Sequence, residues 1–327
     1  MKDTLAIVGN GFDVAHQYAT RYSDFVANCN CPAFETFRNL QTKYHIVDDS
    51  PQLNWYDFES IINALTLKWF ERLIDVEREG NDKERKDVLR DIGRMNRIFD
   101  SIAKHLKAYI SDVTSTNNGI ILPSIEVMVD EETPIISFNY SNIAERYSHS
   151  VHYIHGSIKE NHIILGYPVR DEPDVIEDEA TLFSKDKLRE LLRFRRFIAS
   201  KGITPLSHKG KRLLRNYNRQ VQFLFGPKGD TDDDFEKLPR IMQTFLSTSD
   251  RFDISALLGC CIEEIRRLLI IGHSLMADYD VIDNILDCAS NLQEVIIFTY
   301  SGETQKDIQK KKKIFQGRNL NIKICQY

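Results

Sequence analysis

The 327-residue sequence lacks the features of several common classes of protein. No apolar run approaches the roughly 18 residues of a membrane span, and the first residues lead into a short strand instead of an export signal. The six cysteines lack C-x-x-C spacing, and no other set of potential ligands has the spacing of a metal site. We therefore expect a cytoplasmic protein with reduced thiols, without a bound metal and without a membrane partner.

Two catalytic signatures are also missing. The sequence contains neither the G-x-S-x-G turn of many serine hydrolases nor the G-x-x-x-x-G-K-[ST] loop of P-loop nucleotide hydrolases. The net charge of −5 gives no overall attraction to nucleic acid. One segment, Arg193 to Arg219, holds nine Lys and Arg residues, interleaved aromatics and no Asp or Glu. It fits a nucleic-acid surface, but we favour one charged helix face whose aromatic side chains point into the core.

Short apolar runs, many with β-branched residues, recur along the chain and end in glycine or polar residues. They are Leu5–Val8, Ile135–Phe138, His152–Ile154, His162–Leu165, Leu268–Ile271, Val295–Phe298 and Leu320–Cys325. Such uninterrupted runs are typical of strands buried on both faces, as in a parallel sheet covered by helices. Apolar residues at helical spacing lie between them, at 14–27, 84–113, 278–290 and 305–315.

These patterns predict a single α/β domain over residues 1–327, with a doubly wound, mostly parallel sheet covered by helices. Large helical insertions are expected at about 30–130 and 170–260. In an open parallel sheet, ligands bind at the carboxyl ends of the strands. Four predicted strand ends carry residues suited to a ligand: Gly9, Asn10 and Gly11; Asn139; His155 and Gly156; and Gly272, His273 and Ser274.

The glycine pair after the first strand predicts a sharp turn whose backbone approaches a ligand without Cβ clashes. In α/β proteins such a turn often holds a dinucleotide pyrophosphate. The full G-x-G-x-x-G pattern is absent, because Gly11 is followed by Phe12, Asp13 and Val14. A tight strand-to-loop turn without a ligand is the alternative.

The order and spacing of these segments resemble the AbiH family of phage abortive-infection proteins. Six motifs spread over nearly the whole chain carry the likeness: I-V-G-N-G-F-D-V-A-H (7–16), W-Y-D-F-E (55–59), S-F-N-Y-S-N (137–142), Y-I-H-G-S (153–157), I-L-G-Y (164–167) and I-I-G-H-S-L (270–275). The resemblance implies an effector of phage defence and a phage-derived trigger as a partner.

A more remote resemblance links this pattern to the sirtuin-like NAD-binding domains of bacterial defence. It implies a Rossmann-like fold and NAD, or a related nucleotide, as ligand or substrate. Matched segment by segment, the residues implied to bind the nucleotide are Gly9, Asn10, Gly11, Phe12, Asp13, Gly156, Gly272, His273 and Ser274. The residues implied to be catalytic are Asn139 and His155.

Cleavage of the nicotinamide–ribose bond suits such residues. Its transition state resembles an oxocarbenium ion and its leaving group is already cationic, so the site needs a ribose clamp and a base more than an acid. Neutral His155 would accept the proton, since histidine titrates near physiological pH. Asn139 would hold water or ribose hydroxyls without adding charge.

The sequence departs from the sirtuin-like pattern in three ways. Ser141, two residues after Asn139, stands where the sirtuin-like pattern has an Asp, which leaves Ser141 and Asn142 as alternatives for positioning water. The zinc cysteines of protein deacylases are missing, which argues against acyl-lysine removal. Asp13 stands where a hydroxyl is expected, and because a carboxylate repels pyrophosphate, we expect it to cap the next helix or contact a ribose.

Together these observations predict an abortive-infection effector that binds NAD and hydrolyses it at the nicotinamide–ribose bond. The alternative is a non-catalytic module that senses a nucleotide or nucleic acid within a defence system. A nuclease that uses the basic segment is a third candidate, although no cluster of metal-binding carboxylates accompanies it. A homo-oligomer is compatible with each of these functions.

Overall fold

The computed structural model describes residues 3–28, 31–43, 82–160, 163, 165, 258–275, 279–300 and 303–326. Three features predicted from the sequence lie outside these residues: the W-Y-D-F-E motif, nearly all of the helical insertion at about 170–260, and the basic segment 193–219. The division into one domain with two insertions therefore stays a prediction.

In the described part of the chain, six strands form one parallel sheet. They are β1 (Thr4–Val8), β2 (Ile135–Ser137), β3 (Val151–Tyr153), β4 (Arg267–Ile271), β5 (Glu294–Thr299) and β6 (Asn321–Gln326). Their order across the sheet is β3-β2-β1-β4-β5-β6, and every neighbouring pair is parallel. This is the 3-2-1-4-5-6 order of dinucleotide-binding Rossmann folds, and it confirms the predicted doubly wound α/β sheet.

Both faces of the sheet are buried, which explains the uninterrupted apolar runs. On one face Leu5, Leu268 and Val295 pack with Ile282 and Ile285. Alternate residues of the same strands, including Ala6, Leu269 and Ile296, pack with Phe12 and Tyr147 on the other face. Successive side chains of a strand point to opposite faces, so both sets must be apolar when helices cover both sides.

The described helices are α1 (Asn10–Ala15), α2 (Tyr22–Asn28), α3 (Pro32–Lys43), α4 (Asp82–Thr116), α5 (Pro123–Glu126), α6 (Tyr279–Cys288) and α7 (Gln305–Ile314). The long helix α4 lies where the sequence predicted residues 84–113. Its apolar stripe, which includes Met95, Phe99 and Ile102, packs with residues of α2 and α3. The described part of residues 30–130 is therefore mainly helical, and its helices pack in a core cluster that they share with α2.

Two local predictions are wrong. The first helix begins at Asn10 instead of Val14, behind an extended Gly9, because the Gly11 N–H donates to the carbonyl of Gly272 and Phe12 packs into the core. The strand predicted at His162–Leu165 is not observed at its two described residues: Ile163 and Leu165 lie outside any strand and pack with α4.

Candidate functional site

The polar residues predicted at separate strand ends lie at one edge of the sheet, because the strands are parallel. Gly9 directly follows β1, Asn139 lies two residues after β2, His155 lies two residues after β3, and Gly272 directly follows β4. Strands β1 and β4 are neighbours, and the chain builds outward from them in opposite directions. Their carboxyl ends therefore form the topological switch point, where open α/β sheets bind ligands.

Asn139 connects the end of β2 to the segment after β1 through its side-chain amide. The residue is buried, and its Nδ2 donates to the carbonyl oxygen of Gly9 at 2.9 Å and to Oδ1 of Asp13 at 2.8 Å. Its backbone N–H donates to Oγ of Ser137 at 3.2 Å. A backbone carbonyl can only accept, so the contact with Gly9 fixes which end of the amide is nitrogen.

Asp13 is a residue of α1 and is buried, with 2% of its surface exposed. Burial raises the pKa of Asp13 to about 7, against the opposing influence of the Ser141 hydroxyl and the Asn139 amide. The buried Ser141 Oγ is close enough to lower the pKa of the Asp13 carboxyl. Among the described residues, however, this oxygen has no partner at normal hydrogen-bond geometry. The expectation that Asp13 caps a helix is wrong: Gly9 is the N-cap of α1, and the Asp13 carboxyl binds Asn139.

Tyr153, at the end of β3, is close enough to Asp13 for the charge of that carboxyl to act on it. Its hydroxyl donates to Oε1 of Glu145 at 3.1 Å, and Lys159 forms an ion pair with Glu145. Burial raises the pKa of Tyr153, and the negative charges of Glu145 and Asp13 raise it further. The phenol is therefore neutral at physiological pH and adds no charge beside Asp13.

The glycines of the site bring the loops after β1 and β4 into backbone contact. The N–H of Gly9 donates to the carbonyl of Ile271 at 3.0 Å, and that of Gly11 to the carbonyl of Gly272 at 2.9 Å. A Cβ atom at Gly272, whose φ is +64°, would lie 2.0 Å from the backbone nitrogen of Phe12. The N–H of Phe12 also bonds internally, to the carbonyl of Gly9. These glycines therefore allow one loop to approach the other, whereas the sequence suggested an approach to a phosphate.

Two buried histidines, His155 and His273, lie near the ring of Phe138. The centroid of the Phe138 ring is 4.5 Å from that of His273 and 5.9 Å from that of His155. Nδ1 of His273 accepts a hydrogen bond from the backbone N–H of Leu275 at 3.0 Å, which leaves the ring proton on Nε2 when this histidine is neutral. A Cβ at Gly9 would lie 2.7 Å from Cδ2 of His273, so the absent side chain makes room for this ring.

The remaining predicted site residues have different positions. Asn10 donates from Nδ2 to the backbone oxygen and to Oγ1 of Thr20, at 2.8 and 3.0 Å, which holds the loop after α1. Phe12 is part of the core. Gly156 is buried and has a φ of +73°, a turn that favours glycine, whereas Ser274 is exposed.

The contact between Asp13 and Asn139 was missed from the sequence, because it joins residues 126 positions apart. A signal was present: Asp13 stands between the apolar residues Phe12 and Val14, where a carboxylate is unusual unless it has a partner. His16 is structural. Its Nδ1 donates to the carbonyl of Phe12, and its Nε2 accepts from the hydroxyl of Tyr147, both at 2.6 Å.

The chain matches a known protein family. Residues 5–300 match the family described as "Bacteriophage abortive infection AbiH", which covers most of the 327 residues. No curated protein and no solved structure matches the chain.

Two further structural features are absent from the described ranges. Within them, no helix combines the length and the apolar character that crossing a membrane requires. Nor do these ranges contain a group of three or more His, Cys, Asp or Glu side chains arranged to hold a metal ion.

Proposed function

The chain belongs to the AbiH family of bacteriophage abortive-infection proteins, and we propose that it acts by binding NAD and hydrolysing the nicotinamide–ribose bond. Family membership implies a function in abortive infection. The nucleotide and the reaction are the proposal, and the site is the carboxyl edge of β1 to β4.

One observation carries the proposal: a sheet in the 3-2-1-4-5-6 order holds buried Asn139, His155 and His273 at its carboxyl edge. That order is the one in which dinucleotides lie across the switch point between the first and fourth strands. These three buried polar side chains lie at the edge where folds with this strand order bind their ligands, and this position supports a functional role.

The reaction assigns separate tasks to two of these side chains. The bond between N1 of nicotinamide and C1′ of ribose breaks, and nicotinamide leaves as a neutral molecule with the bonding electron pair. The oxygen of a water molecule bonds to C1′, and neutral His155 takes the proton that this water loses. Asn139 accepts a hydrogen bond from a ribose hydroxyl, and the products are nicotinamide, ADP-ribose and one proton.

The backbone contacts place a limit on where the phosphates lie. The N–H groups of Gly9, Gly11 and Phe12 are bonded within the protein, so they are not available donors in this conformation. We therefore propose that the glycine loops shape the wall of the site and that the ribose on the nicotinamide side lies towards Asn139 and His155.

The direct test incubates the purified chain with NAD and follows nicotinamide and ADP-ribose by chromatography. We expect the two products in equal amounts. Because a phage-derived trigger is part of the proposal, the same measurement is made on cells that express the protein, before and after phage infection. If NAD remains intact both in the purified reaction and in infected cultures in which the protein restricts the phage, the proposed hydrolysis is wrong.

A second test links the chemistry to defence. Phage plating efficiency is compared between cells that express the wild type, the His155→Ala variant and no protein. We expect the wild type to restrict phage and the variant to restore plating. Full protection by a folded His155→Ala variant would show that defence does not use this histidine.

A further inference from the structure

We propose that Asp13 is a positioning residue: it holds Asn139 so that the amide presents only a hydrogen-bond acceptor to a ribose hydroxyl. This inference rests on the proposed function and narrows it, because it names the chemical group of the substrate that Asn139 recognises. It gives Asp13 a role through Asn139, without contact between Asp13 and the substrate.

The geometry follows from counting donors. The side-chain amide of Asn139 has two N–H protons, and Nδ2 lies 2.9 Å from the carbonyl oxygen of Gly9 and 2.8 Å from Oδ1 of Asp13. One proton serves each acceptor, so the amide has no further donor. What Asn139 can offer a ligand is its carbonyl oxygen, which binds a hydroxyl and does not bind a carbonyl or a phosphate oxygen.

Asp13 makes this arrangement depend on an ionisable group. Its carboxylate form has only acceptors and therefore requires the nitrogen end of the amide, whereas its protonated form also carries an O–H donor. Protonation thus weakens the preference for one orientation of Asn139. Because burial raises the pKa of Asp13 to about 7, both forms are accessible near physiological pH.

The other titratable groups of this region are in different environments. Tyr153, at the end of β3, is close enough for the charge of Asp13 to raise its pKa, so it stays neutral. Glu145 lies beyond Tyr153 and is paired with Lys159. At the C-cap of α1, burial lowers the pKa of His16, whose two ring nitrogens are bonded.

The experiment measures the affinity of the full chain for ADP-ribose and for ADP by calorimetry. ADP-ribose carries the terminal ribose whose hydroxyls Asn139 would recognise, and ADP lacks it. We expect the wild type to bind ADP-ribose more tightly. The ratio of the affinities for ADP-ribose and ADP is called the margin here. Asp13→Leu should reduce the margin by about fivefold to tenfold, the usual effect of one hydrogen bond. Asp13→Asn carries a donor as well as an acceptor, like the protonated acid, and should therefore show at pH 8 the smaller margin that the wild type has at pH 6.

The pH dependence gives a second readout. In the wild type the margin should shrink between pH 8 and pH 6. In Asp13→Asn, which has no ionisable group at this position, it should stay constant over the same range. A dependence that is identical in both proteins would assign the titration to another group, such as His155, and would overturn the inference. This comparison remains valid if Asp13→Leu does not fold.

Glu303→Gln is the matched control, because Glu303 is another buried carboxylate, paired with Lys311 at 2.5 Å, in the segment after β5. It should alter stability without changing the margin between the two nucleotides. A folded Asp13→Leu variant that keeps the margin contradicts the inference and leaves NAD binding intact. A wild type that binds neither nucleotide contradicts the proposed function itself.

Discussion

At the two edges of the sheet, the pKa of a carboxyl group is shifted in opposite directions. At the carboxyl edge, burial raises the pKa of Asp13 to about 7. At the amino edge, hydrogen bonds from Lys323 and Arg267 lower the pKa of Glu294, the first residue of β5. At the amino edge the carboxylate of Glu294 is paired with cations, whereas at the carboxyl edge the buried carboxyl of Asp13 has a pKa near physiological pH.

Histidines at the two edges also differ, in their exposure to solvent. His149, which precedes β3, is 80% exposed beside Glu131, whereas His155, which follows β3, is 2% exposed. The amino edge also has a depression of about 390 Å³, lined by Asp3, Glu263, Glu264, Arg266 and Asn291. Charged residues at an exposed edge need no further explanation, but buried polar residues cost stability unless they are satisfied or used. The contrast therefore favours the carboxyl edge as the functional one.

The largest expected effect separates the two histidines that flank β3. His155→Ala should lower the rate of nicotinamide release about 10²-fold to 10⁴-fold, the usual range for loss of a positioned base. His149→Ala makes the same change at the opposite end of the strand and should leave the rate within twofold of the wild type. Chromatography of nicotinamide measures both, with circular dichroism as the check on folding. Equal rates in the two variants would remove the functional distinction between the edges.

The second expected effect concerns glycines with positive φ at the two edges. Gly272→Ala should lower the free energy of unfolding by about 3 to 5 kcal/mol, because the new Cβ meets Phe12 and Gly11 in addition to the backbone strain. Gly317, before β6, has a φ of +85° and nothing within 4 Å of an added Cβ, so Gly317→Ala should lose only about 1 kcal/mol. Urea denaturation gives both values. Equal losses would mean that loop packing at the carboxyl edge adds nothing.

Most of the sheet could be predicted from the sequence, because burial on both faces leaves runs that are apolar at every position. Six of the seven predicted runs became strands whose ends lie within one residue of the prediction, as in Leu5–Val8 and Val295–Phe298. Convergence of Asn139 and His155 at one edge followed from the parallel direction alone. The start of α1 could not be predicted, because it depends on a hydrogen bond from Gly11 to Gly272, which lies far along the chain.

The candidate site was predictable in position and less so in detail. Motifs placed Asn139 and the glycine loops together, but local sequence does not reveal that Asp13 binds Asn139 or that Gly11 packs on Gly272. Both are tertiary contacts between segments that are remote in sequence. The glycine pair illustrates the difficulty: the same lack of a Cβ suits a phosphate and a second backbone, and only the fold decides between them.

The third expected effect uses the raised pKa of Asp13. A folded-state pKa of about 7, above the ordinary value of 3.8, means that the folded protein holds this proton more tightly than the unfolded chain. The corresponding stability is therefore fully present below about pH 4 and is lost as pH rises to about 7. Relative to Asp13→Asn, the wild type should lose on the order of 2 to 3 kcal/mol over this range.

Urea denaturation of the two proteins at intervals between pH 4 and pH 8 measures this difference. Glu264→Gln, which removes an exposed carboxylate at the amino edge, is the control and should follow the wild type. A difference between wild type and Asp13→Asn that does not vary with pH would show that Asp13 is ionised throughout. The contrast between the two edges would then rest on burial alone.

The smallest expected effect belongs to the amino edge. Lys323→Gln removes one of the two cations beside Glu294 and leaves Arg267, whose Nε lies 2.8 Å from Oε2. Because Lys323 is 55% exposed, solvent screens the pair, and the free energy of unfolding should fall by less than about 1 kcal/mol. The sign is opposite to that of Asp13: the folded-state pKa of Glu294 is lowered, so this contribution is present above the ordinary pKa and is lost on acidification. Denaturation of both proteins at low and high salt should show the difference shrinking as salt is added. A loss of several kcal/mol that salt does not reduce would mean that the amino edge depends on its charges as strongly as the carboxyl edge depends on its buried groups.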